Sequence, residues 1–358
     1  MSGLIKTYGK NTTKTPLPND LEWCTLNVFD KQTLDMIYHL LKNNYVEDSN
    51  GMYQLEYSCE FLKWILTSPG YNPLLHLGLV YKSKYLIGFI TGTNVKIILK
   101  NQIYKMAEIN FLCIDKSVRN KNLAPLLIKE ITRRIALTDT QIALYTISKK
   151  ITEPFVECNY YNYYINIKKL QECKFINNVK FDLNLMYDFD YYYRHTRQMK
   201  ESDCNGVCTL LNDYLSKFKI FKTFSNEEIS HCFLPKSGIV YTNIIEDDFK
   251  NIIGMYSIVN IKTSILFKNK HESINICYLH YYAYDNTKIN IENLMTDIIR
   301  FSKKNNFDCL NTLNNLDSTS EVLNKLNFYK NTTKLHYYLY NYNINSTILS
   351  NDIGVILL

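Results

Sequence analysis

The predicted secondary-structure elements recur in the same order in both halves of the chain, and this repeat constrains the fold more than any other feature. Residues 76–99 are predicted to form two or three strands with a turn at Lys82–Lys84, and residues 238–266 repeat the order strand, polar turn, strand, strand. Within these segments, YLIGFITGTNVKIIL (85–99) resembles NIIGMYSIVNIKTSIL (251–266). The repeat indicates two copies of one αβ unit. The alternative is a chance recurrence of common elements.

Predicted helices complete the repeated unit. They precede the strands in each half, at 31–44 and 58–66, and at 207–218 and 225–233. A further strand and helix follow in each half, at 108–135 and at 273–306. We therefore expect an α/β (α+β) fold, divided into a flexible N-terminal tail (1–18), a first half (19–180) and a second half (181–358).

Composition and charge limit the class of protein. The 358 residues suffice for two domains, and 46% hydrophobic and 21% charged residues are typical of soluble globular proteins. No apolar run reaches the roughly 20 residues that span a bilayer, and the N-terminus has no apolar signal core, so we expect a cytoplasmic protein. Ten cysteines without CxxC or Cys/His metal spacing are expected to be reduced thiols, with no metal site. The net charge of +7 fits an anionic ligand, and we predict no nucleic-acid partner.

In residues 108–135, EINFLCIDKSVRNKNLAPLLIKEITRRI, a compact apolar strand leads through a basic loop directly into a helix. A helix N-terminus has unpaired N–H groups and partial positive charge. Short residues there let an anion approach, and cations beside it add charge: Asn120, Asn122 and Ala124, with Arg119 and Lys121. The segment suits a pyrophosphate but lacks the glycines and GK[ST] of a Walker loop. The alternative is an exposed basic turn.

The second copy differs at the equivalent position. It has DNTKIN (285–290), with one cation and no small residue entering the helix. We therefore predict that only the first copy holds a multiply charged anion.

The strand–loop–helix segment is also very similar to the signature segment of N-myristoyltransferases, which are glycylpeptide acyltransferases built from two GNAT-like halves. The resemblance is collinear from about residue 18 to residue 358 and ends in an apolar GVILL terminus like the family's. Further matching segments are NYVEDSNGMYQLEYSCEFLKWIL (44–66), Leu144-Tyr145-Thr146, FDCLNTLNNLDSTSEVLNKLNF (307–328) and LHYYLYNY (335–342).

The resemblance implies two GNAT-like acyl-CoA N-acyltransferase units related by pseudo-twofold symmetry, forming one continuous saddle-shaped sheet with flanking helices. It implies that the first half binds myristoyl-CoA as acyl donor, with no permanently bound cofactor. The second half would bind the peptide and supply the C-terminal carboxylate. The residues implied for acyl-CoA binding are Tyr45, Arg119, Asn120, Lys121, Asn122, Leu123 and Ala124.

The implied reaction is direct attack of a protein's N-terminal glycine amine on the thioester. The backbone N–H groups of Phe111 and Leu112 would form the oxyanion hole, which requires amides released from the ladder, as at a bulge. The base would be the C-terminal carboxylate of Leu358. Its pKa of about 3.5 in water is far below the amine's, near 8, and burial among apolar residues narrows that gap. Asn110 and Thr146 would lie near the amine, and no cysteine nucleophile is expected.

The implied peptide groove departs from the family's pattern. Its residues would be Tyr53, Tyr57, Tyr160 and Asn162, together with Tyr45 and Asp48. Asp48 remains acidic, but Ser49 and Asn50 follow it, Asn162 stands where the family has a histidine, Thr332 replaces an acidic residue, and Ile147-Ser148 replaces a glycine-containing segment. We therefore expect a weaker preference for a basic residue downstream of the acceptor glycine.

The expected partners are proteins with an N-terminal glycine, and a monomer is expected. Two alternatives remain open from the sequence. One is a different acyl-CoA transferase, such as an acetyltransferase. The other is a non-catalytic or otherwise specialised acyl-CoA-binding GNAT-like protein.

Overall fold

The computed structural model describes residues 3–45, 50–176 and 195–358. Its helices in these ranges are α1 (Lys31–Asn44), α2 (Cys59–Leu66), α3 (Leu123–Leu137), α4 (Ile167–Glu172), α5 (Cys204–Leu215), α6 (Asn226–Phe233), α7 (Ile291–Lys304) and α8 (Ser320–Lys325). Its strands are β1 (Gly3–Leu4), β2 (Leu21–Thr25), β3 (Tyr53–Glu56), β4 (His76–Tyr81), β5 (Tyr85–Leu99), β6 (Gln102–Ile114), β7 (Ile142–Ile147), β8 (Val156–Tyr164), β9 (Thr196–Gln198), β10 (Ile220–Lys222), β11 (Val240–Glu246), β12 (Ile252–Ile265), β13 (Ser273–Tyr284), β14 (Cys309–Leu313), β15 (Tyr329–Tyr340), β16 (Tyr342–Asn343) and β17 (Ile353–Gly354).

The predicted helices are confirmed, and local side chains explain where they begin. Asp30 precedes α1 and accepts a hydrogen bond from the Thr33 amide at 2.8 Å. Ser58 does the same for α2, accepting from the Phe61 amide at 3.1 Å. Because N-terminal helix amides lack intrahelical partners, such side chains fix the first turn.

The strands form one large mixed sheet, which confirms the predicted fold class. Described strands follow one another in the order β17-β10-β5-β6-β7-β15-β8-β14-β13-β12-β11-β9, with β2 and β4 attached at β5 and β3 attached at β12. Strands β5, β6 and β7, read from one end of the sheet, correspond to β12, β13 and β14, read from the other end. The duplicated unit predicted from the sequence is therefore present. One expectation was too fragmented: two strands were expected after the polar turn of the second half, where β12 is a single strand of 14 residues.

The two halves exchange strands. Strand β8 pairs with β14 of the second half, while β15 pairs with β7 of the first half. The ends of the long strands do the same, since β3 pairs with β12 and β10 pairs with β5. These exchanges make the sheet continuous across the junction and bring residues distant in sequence to the centre of the molecule.

Each half contains a pair of parallel strands that part after three residue pairs. Strands β6 and β7 pair from Met106–Ile142 to Glu108–Leu144 and then separate, which we call the first fork. Strands β13 and β14 pair from Ile276–Cys309 to Tyr278–Asn311 and then separate, which we call the second fork. Beyond a fork, the facing edges of the two strands lack a partner strand and can accept a ligand between them.

Residues 3–18, expected to form a flexible tail, contact the body of the protein. Strand β1 pairs with β16. The Tyr8 amide donates to the Gln141 side chain at 2.8 Å, and the Thr15 amide donates to buried Glu130 on α3 at 2.9 Å. The segment is therefore anchored along its length. The predicted boundary between residues 180 and 181 lies outside the described residues.

Apolar clusters cover both faces of the sheet, with helices α3 and α7 in equivalent positions. The predicted apolar face of α3, including Leu123, Leu127 and Ile131, packs on strands β4 to β6. The face of α7 packs on β13 in the same way. Within the described ranges, no helix has both the length and the apolar character required to cross a bilayer.

Candidate active site

The basic loop between β6 and α3 ends in an uncapped helix N-terminus. Asp115 starts the loop by accepting hydrogen bonds from the Ser117 amide at 2.9 Å and from its hydroxyl at 2.6 Å. Asn122 then takes a left-handed conformation with φ of +55°, which asparagine tolerates better than most residues. Its side chain makes no capping hydrogen bond to α3. The first amides of α3 are therefore left for a ligand.

The equivalent helix of the second half is capped by its own sequence. Asn290 precedes α7, and its side chain accepts a hydrogen bond from the Asn293 amide at 2.7 Å. An anion would have to displace this contact. The two helix N-termini therefore differ in capping, and it stays a prediction that only the first copy holds a multiply charged anion.

Arg119 holds the basic loop to the end of α1. Its Nε donates to the Ile114 carbonyl at 3.2 Å, and its Nη2 donates to the Asn44 carbonyl. The Asn44 side chain in turn accepts a hydrogen bond from the Lys116 amide at 2.8 Å. Arg119 thus places the loop beside Tyr45, and it leaves Asn120, Lys121 and Asn122 exposed at the surface.

Strand β6 carries a bulge three residues beyond the first fork. Cys113 pairs with Phe89 and Asn110 pairs with Thr91, so both Phe111 and Leu112 lie opposite one residue of β5. Phe111 has φ of +57°, a left-handed conformation that costs a non-glycine residue about 1–2 kcal/mol. A bulge leaves the extra residue out of the ladder. This is the backbone geometry that an oxyanion hole from these two amides requires.

The second fork also has a bulge, two residues beyond its last pair and with a different backbone. Ser257 pairs with Tyr281 and Ile258 pairs with Leu279, so His280 is the extra residue. None of the residues 279–281, all within the described chain, has a positive φ. The two copies therefore share the bulge, and the first alone has the left-handed residue.

Aromatic rings hold the left-handed Phe111 in place. Its ring lies 5.7 Å from that of Tyr45, 5.4 Å from Tyr57 and 6.5 Å from Phe89, measured between centroids. Burial raises the pKa of Tyr45 to about 12, partly opposed by a hydrogen bond from the Phe111 amide. Both tyrosine hydroxyls therefore stay neutral, since burial also raises the pKa of Tyr57. The side of the bulge facing α1 is apolar and uncharged.

A cavity of about 50 Å³ lies where the two halves meet, and we call it the central cavity. It has room for a small polar group or a few water molecules. Leu358 and Asn110 line it, together with residues of α2, α6 and β13. Leu358 also packs against the apolar cluster that contains Phe111. Two hydrogen bonds hold the preceding residues: the Ile356 amide donates to Tyr281 at 2.9 Å, and Tyr337 donates to the Val355 carbonyl at 3.1 Å.

The central cavity contains charged groups that sequence reasoning missed. Lys222 and Glu228 form an ion pair at 3.4 Å, and Glu108 lines the same space. Burial lowers the pKa of Lys222, but Glu108, Cys232 and Glu228 together outweigh burial and raise the pKa overall. His280 is buried, and its Nδ1 has no hydrogen-bond partner among the described residues. Burial, with Lys222 nearby, lowers its pKa to about 3, so the imidazole is neutral.

The other predicted site residues that the structure describes are not among those that line the central cavity. Thr146 lies two residues past the first fork on β7, the position corresponding to Asn110 on β6. Tyr160 lies near Tyr57, because its charge is among the causes that raise the pKa of Tyr57. Tyr53 belongs to a separate cluster, where its hydroxyl donates to the Cys173 carbonyl at 2.7 Å. Asp48 lies outside the described residues.

The side chain of Asn162 forms a hydrogen bond inside the sheet. Its Oδ1 accepts a hydrogen bond from the Asn311 side chain at 2.7 Å, and both residues are buried. Asn162 lies directly opposite Asn311 in the ladder between β8 and β14. Its contribution to a peptide groove would therefore depend on breaking or sharing that bond. In the described parts of the chain, no group of His, Cys, Asp and Glu residues could hold a metal ion.

Comparisons with known proteins identify relatives across the whole chain. The family model for the myristoyl-CoA:protein N-myristoyltransferase N-terminal domain matches residues 6–158, and that for the C-terminal domain matches residues 187–356. The glycylpeptide N-tetradecanoyltransferase of Plasmodium falciparum is 36% identical over 351 residues, covering 96% of this chain and 84% of that protein. Glycylpeptide N-tetradecanoyltransferase 1 of Arabidopsis thaliana is 33% identical, covering 96% and 80%.

Solved structures support the same assignment. The Saccharomyces cerevisiae N-myristoyltransferase with bound myristoyl-CoA superposes with a TM-score of 0.91 at 28% identity, covering all of this chain and 91% of that one. A GCN5-related N-acetyltransferase from Anabaena variabilis matches with a TM-score of 0.52 at 11% identity, covering 89% and 72%, which shows a shared fold alone. The chain belongs to the myristoyl-CoA:protein N-myristoyltransferase family, whose members are acyltransferases.

Proposed function

We propose that this protein transfers a myristoyl group from myristoyl-CoA to the N-terminal glycine amine of other proteins. The observation that carries the proposal is the meeting of three features at the junction of the halves. These are the bulge at Phe111, the uncapped N-terminus of α3 and the approach of Leu358 to the cavity lined by Asn110. The relatives' printed names support the same reaction.

Myristoyl-CoA is the acyl donor and no resident cofactor takes part. The CoA phosphates bind the first amides of α3 and the loop amides from Arg119 to Ala124, with Lys121 adding charge. Support comes from the missing cap on α3 and the exposed loop. The chain beyond the phosphates enters the first fork, where strand edges offer hydrogen-bonding groups.

The Phe111 and Leu112 amides stabilise the oxyanion that forms when the glycine nitrogen attacks the thioester carbonyl. Donors fixed in advance stabilise that charge with little reorganisation, and the Phe111 amide needs only to release its hydrogen bond to the Tyr45 hydroxyl. As the carbon–nitrogen bond forms and the carbon–sulfur bond breaks, CoA leaves as the thiolate or thiol. The amine hydrogen bonds to Asn110 and Thr146, on the two arms of the first fork.

The carboxylate of Leu358 takes the proton that the glycine ammonium must lose before it can attack. Support comes from the position of Leu358 on the central cavity, beside the apolar cluster of Phe111. Burial raises a carboxylate's pKa and lowers an ammonium's, which makes that transfer easier than in water.

The peptide runs along Tyr57 and Tyr160 towards the second half. In this proposal the first half (19–180) binds the acyl donor, and the second half (181–358) supplies the carboxylate and part of the peptide groove. The protein acts as a monomer in the cytoplasm.

The test is incubation of the protein with myristoyl-CoA and a glycine-initiated peptide, followed by mass spectrometry. A matched peptide with an acetylated N-terminus is the control, because it lacks the attacking amine. We expect a mass gain of one myristoyl group on the free peptide alone. Tight myristoyl-CoA binding without transfer would contradict the proposal and favour an acyl-CoA-binding protein. Transfer of acetyl in preference to myristoyl would indicate an acetyltransferase.

A further inference from the structure

The side chain of Asn110 is held by a hydrogen bond to a neighbouring carboxyl group. Asn110 lies two residues beyond Glu108 on β6, so both side chains point to the same face of the strand. The Asn110 Nδ2 donates to Glu108 Oε1 at 3.0 Å. Glu108 is also the last residue of β6 that pairs with β7. The contact therefore lies at the apex of the first fork, where the two arms begin to part.

Chemistry fixes which way the Asn110 amide points. The Glu108 carboxyl oxygen that faces Asn110 accepts the hydrogen bond, so Asn110 presents its NH₂ group to Glu108. The carbonyl oxygen then lies on the other side of the amide. No described residue donates a hydrogen bond to that oxygen, and Asn110 lines the central cavity. The oxygen is the acceptor that an incoming amine or ammonium requires.

Lys222 faces both carboxyl groups of the central cavity. Both line the central cavity, and the positive charge of Lys222 is shared between Glu108 and Glu228. Its ion pair with Glu228 measures 3.4 Å.

We propose that Glu108 is a positioning residue, which holds the Asn110 amide with its carbonyl oxygen towards the attacking glycine amine. The inference rests on the proposed function, because it needs an amine in the central cavity. It assigns no proton transfer to Glu108. Glu108 acts through Asn110, so exchanging the two functional groups should preserve the arrangement.

The experiment is a set of near-isosteric variants assayed for kcat/KM with a glycine-initiated peptide. N110D places two carboxylates against each other, and one must turn away or take a proton. The double variant E108Q/N110D exchanges amide and carboxylate, restoring a hydrogen bond between positions 108 and 110 with an oxygen towards the cavity. The matched control is E228Q/N110D, which removes the same charge from the cavity without touching that contact.

We expect N110D to lose about tenfold to a hundredfold in kcat/KM, the factor that hydrogen bonds to charged groups contribute. E108Q/N110D should recover most of that loss, while E228Q/N110D should stay at the N110D level. Myristoyl-CoA affinity and the thermal midpoint of unfolding are measured on each variant. Neither should fall in N110D and recover in E108Q/N110D as kcat/KM does.

Three results would overturn the inference: an N110D variant of normal activity, an E108Q/N110D variant no better than N110D, or equal recovery in E228Q/N110D. The last would assign the effect to net charge. Absence of transfer by the unmodified protein would instead refute the proposed function. The two failures are therefore distinguishable.

Discussion

Replacing Phe111 by glycine or by alanine tests whether this residue is left-handed in the folded protein. Both changes remove a ring that is 3% exposed and packs on Tyr45, Tyr57 and Phe89. Truncating such a side chain costs about 3–5 kcal/mol, and this cost is common to both variants. The comparison between them therefore isolates the backbone.

At φ of +57°, the usual order of stability, in which alanine is more stable than glycine, should reverse. In ordinary strand positions glycine is less stable than alanine by about 0.5–1 kcal/mol, because it loses more conformational freedom on folding. A left-handed residue with a Cβ costs about 1–2 kcal/mol, and glycine avoids that cost. We therefore expect F111G to be more stable than F111A by about 0.5–1 kcal/mol.

The assay is urea unfolding of both variants, followed by circular dichroism. Cys113 provides the control, because it is also 3% exposed on β6 but pairs regularly with Phe89. At that position C113A should be more stable than C113G. If F111A is as stable as F111G or more so, Phe111 is not left-handed and the bulge is not the one described.

Further predictions concern the anion loop, acid stability, the peptide and the cysteines. N122D should weaken CoA binding by about tenfold or more, because it adds a negative charge at the start of α3, whereas calorimetry should show no effect of N290D at the capped α7. Burial alone would raise the pKa of Glu130, but hydrogen bonds from Arg133 and the Thr15 amide outweigh it and lower the pKa to about 2 from 4.5. The resulting stabilisation, about 3 kcal/mol, should be fully present above pH 4.5 and be lost as the pH falls towards 2; unfolding measured against pH should show a smaller acid loss in E130Q. Peptides with Lys or Ala downstream of the glycine should differ little in kcat/KM, and a strong preference for Lys would refute the reading of the altered groove. C113A should keep activity without a covalent acyl-enzyme in mass spectra, because burial raises the pKa of the Cys113 thiol to about 12.

Local patterns in the sequence were sufficient to predict the repeated unit. Helix α1 has the predicted bounds because Asp30 caps its first turn and the face with Leu34 and Ile37 is buried. These features depend on neighbours close in sequence. The capping difference was not predicted, because an asparagine precedes both helices, and Asn290 caps α7 whereas the left-handed Asn122 does not cap α3.

Contacts between distant segments could not be predicted in the same way. Lys222 reaches the central cavity because β10 pairs with β5 across the two halves. Nothing in the sequence around Lys222 indicates this exchange of strands. Glu108 was visible in the sequence beside Asn110, and the spacing of two residues on a strand could have suggested their contact. Tyr53 was placed in the groove by resemblance, but its side chain packs elsewhere.

The most direct test of the account is the rate of myristoyl transfer when one glycine is appended after Leu358. The extension moves the carboxylate away from the central cavity while the preceding contacts of Val355 and Ile356 can remain. We predict that transfer falls to background while myristoyl-CoA binding is unchanged. Equal transfer by the extended and unextended proteins would contradict the assignment of the Leu358 carboxylate as the base.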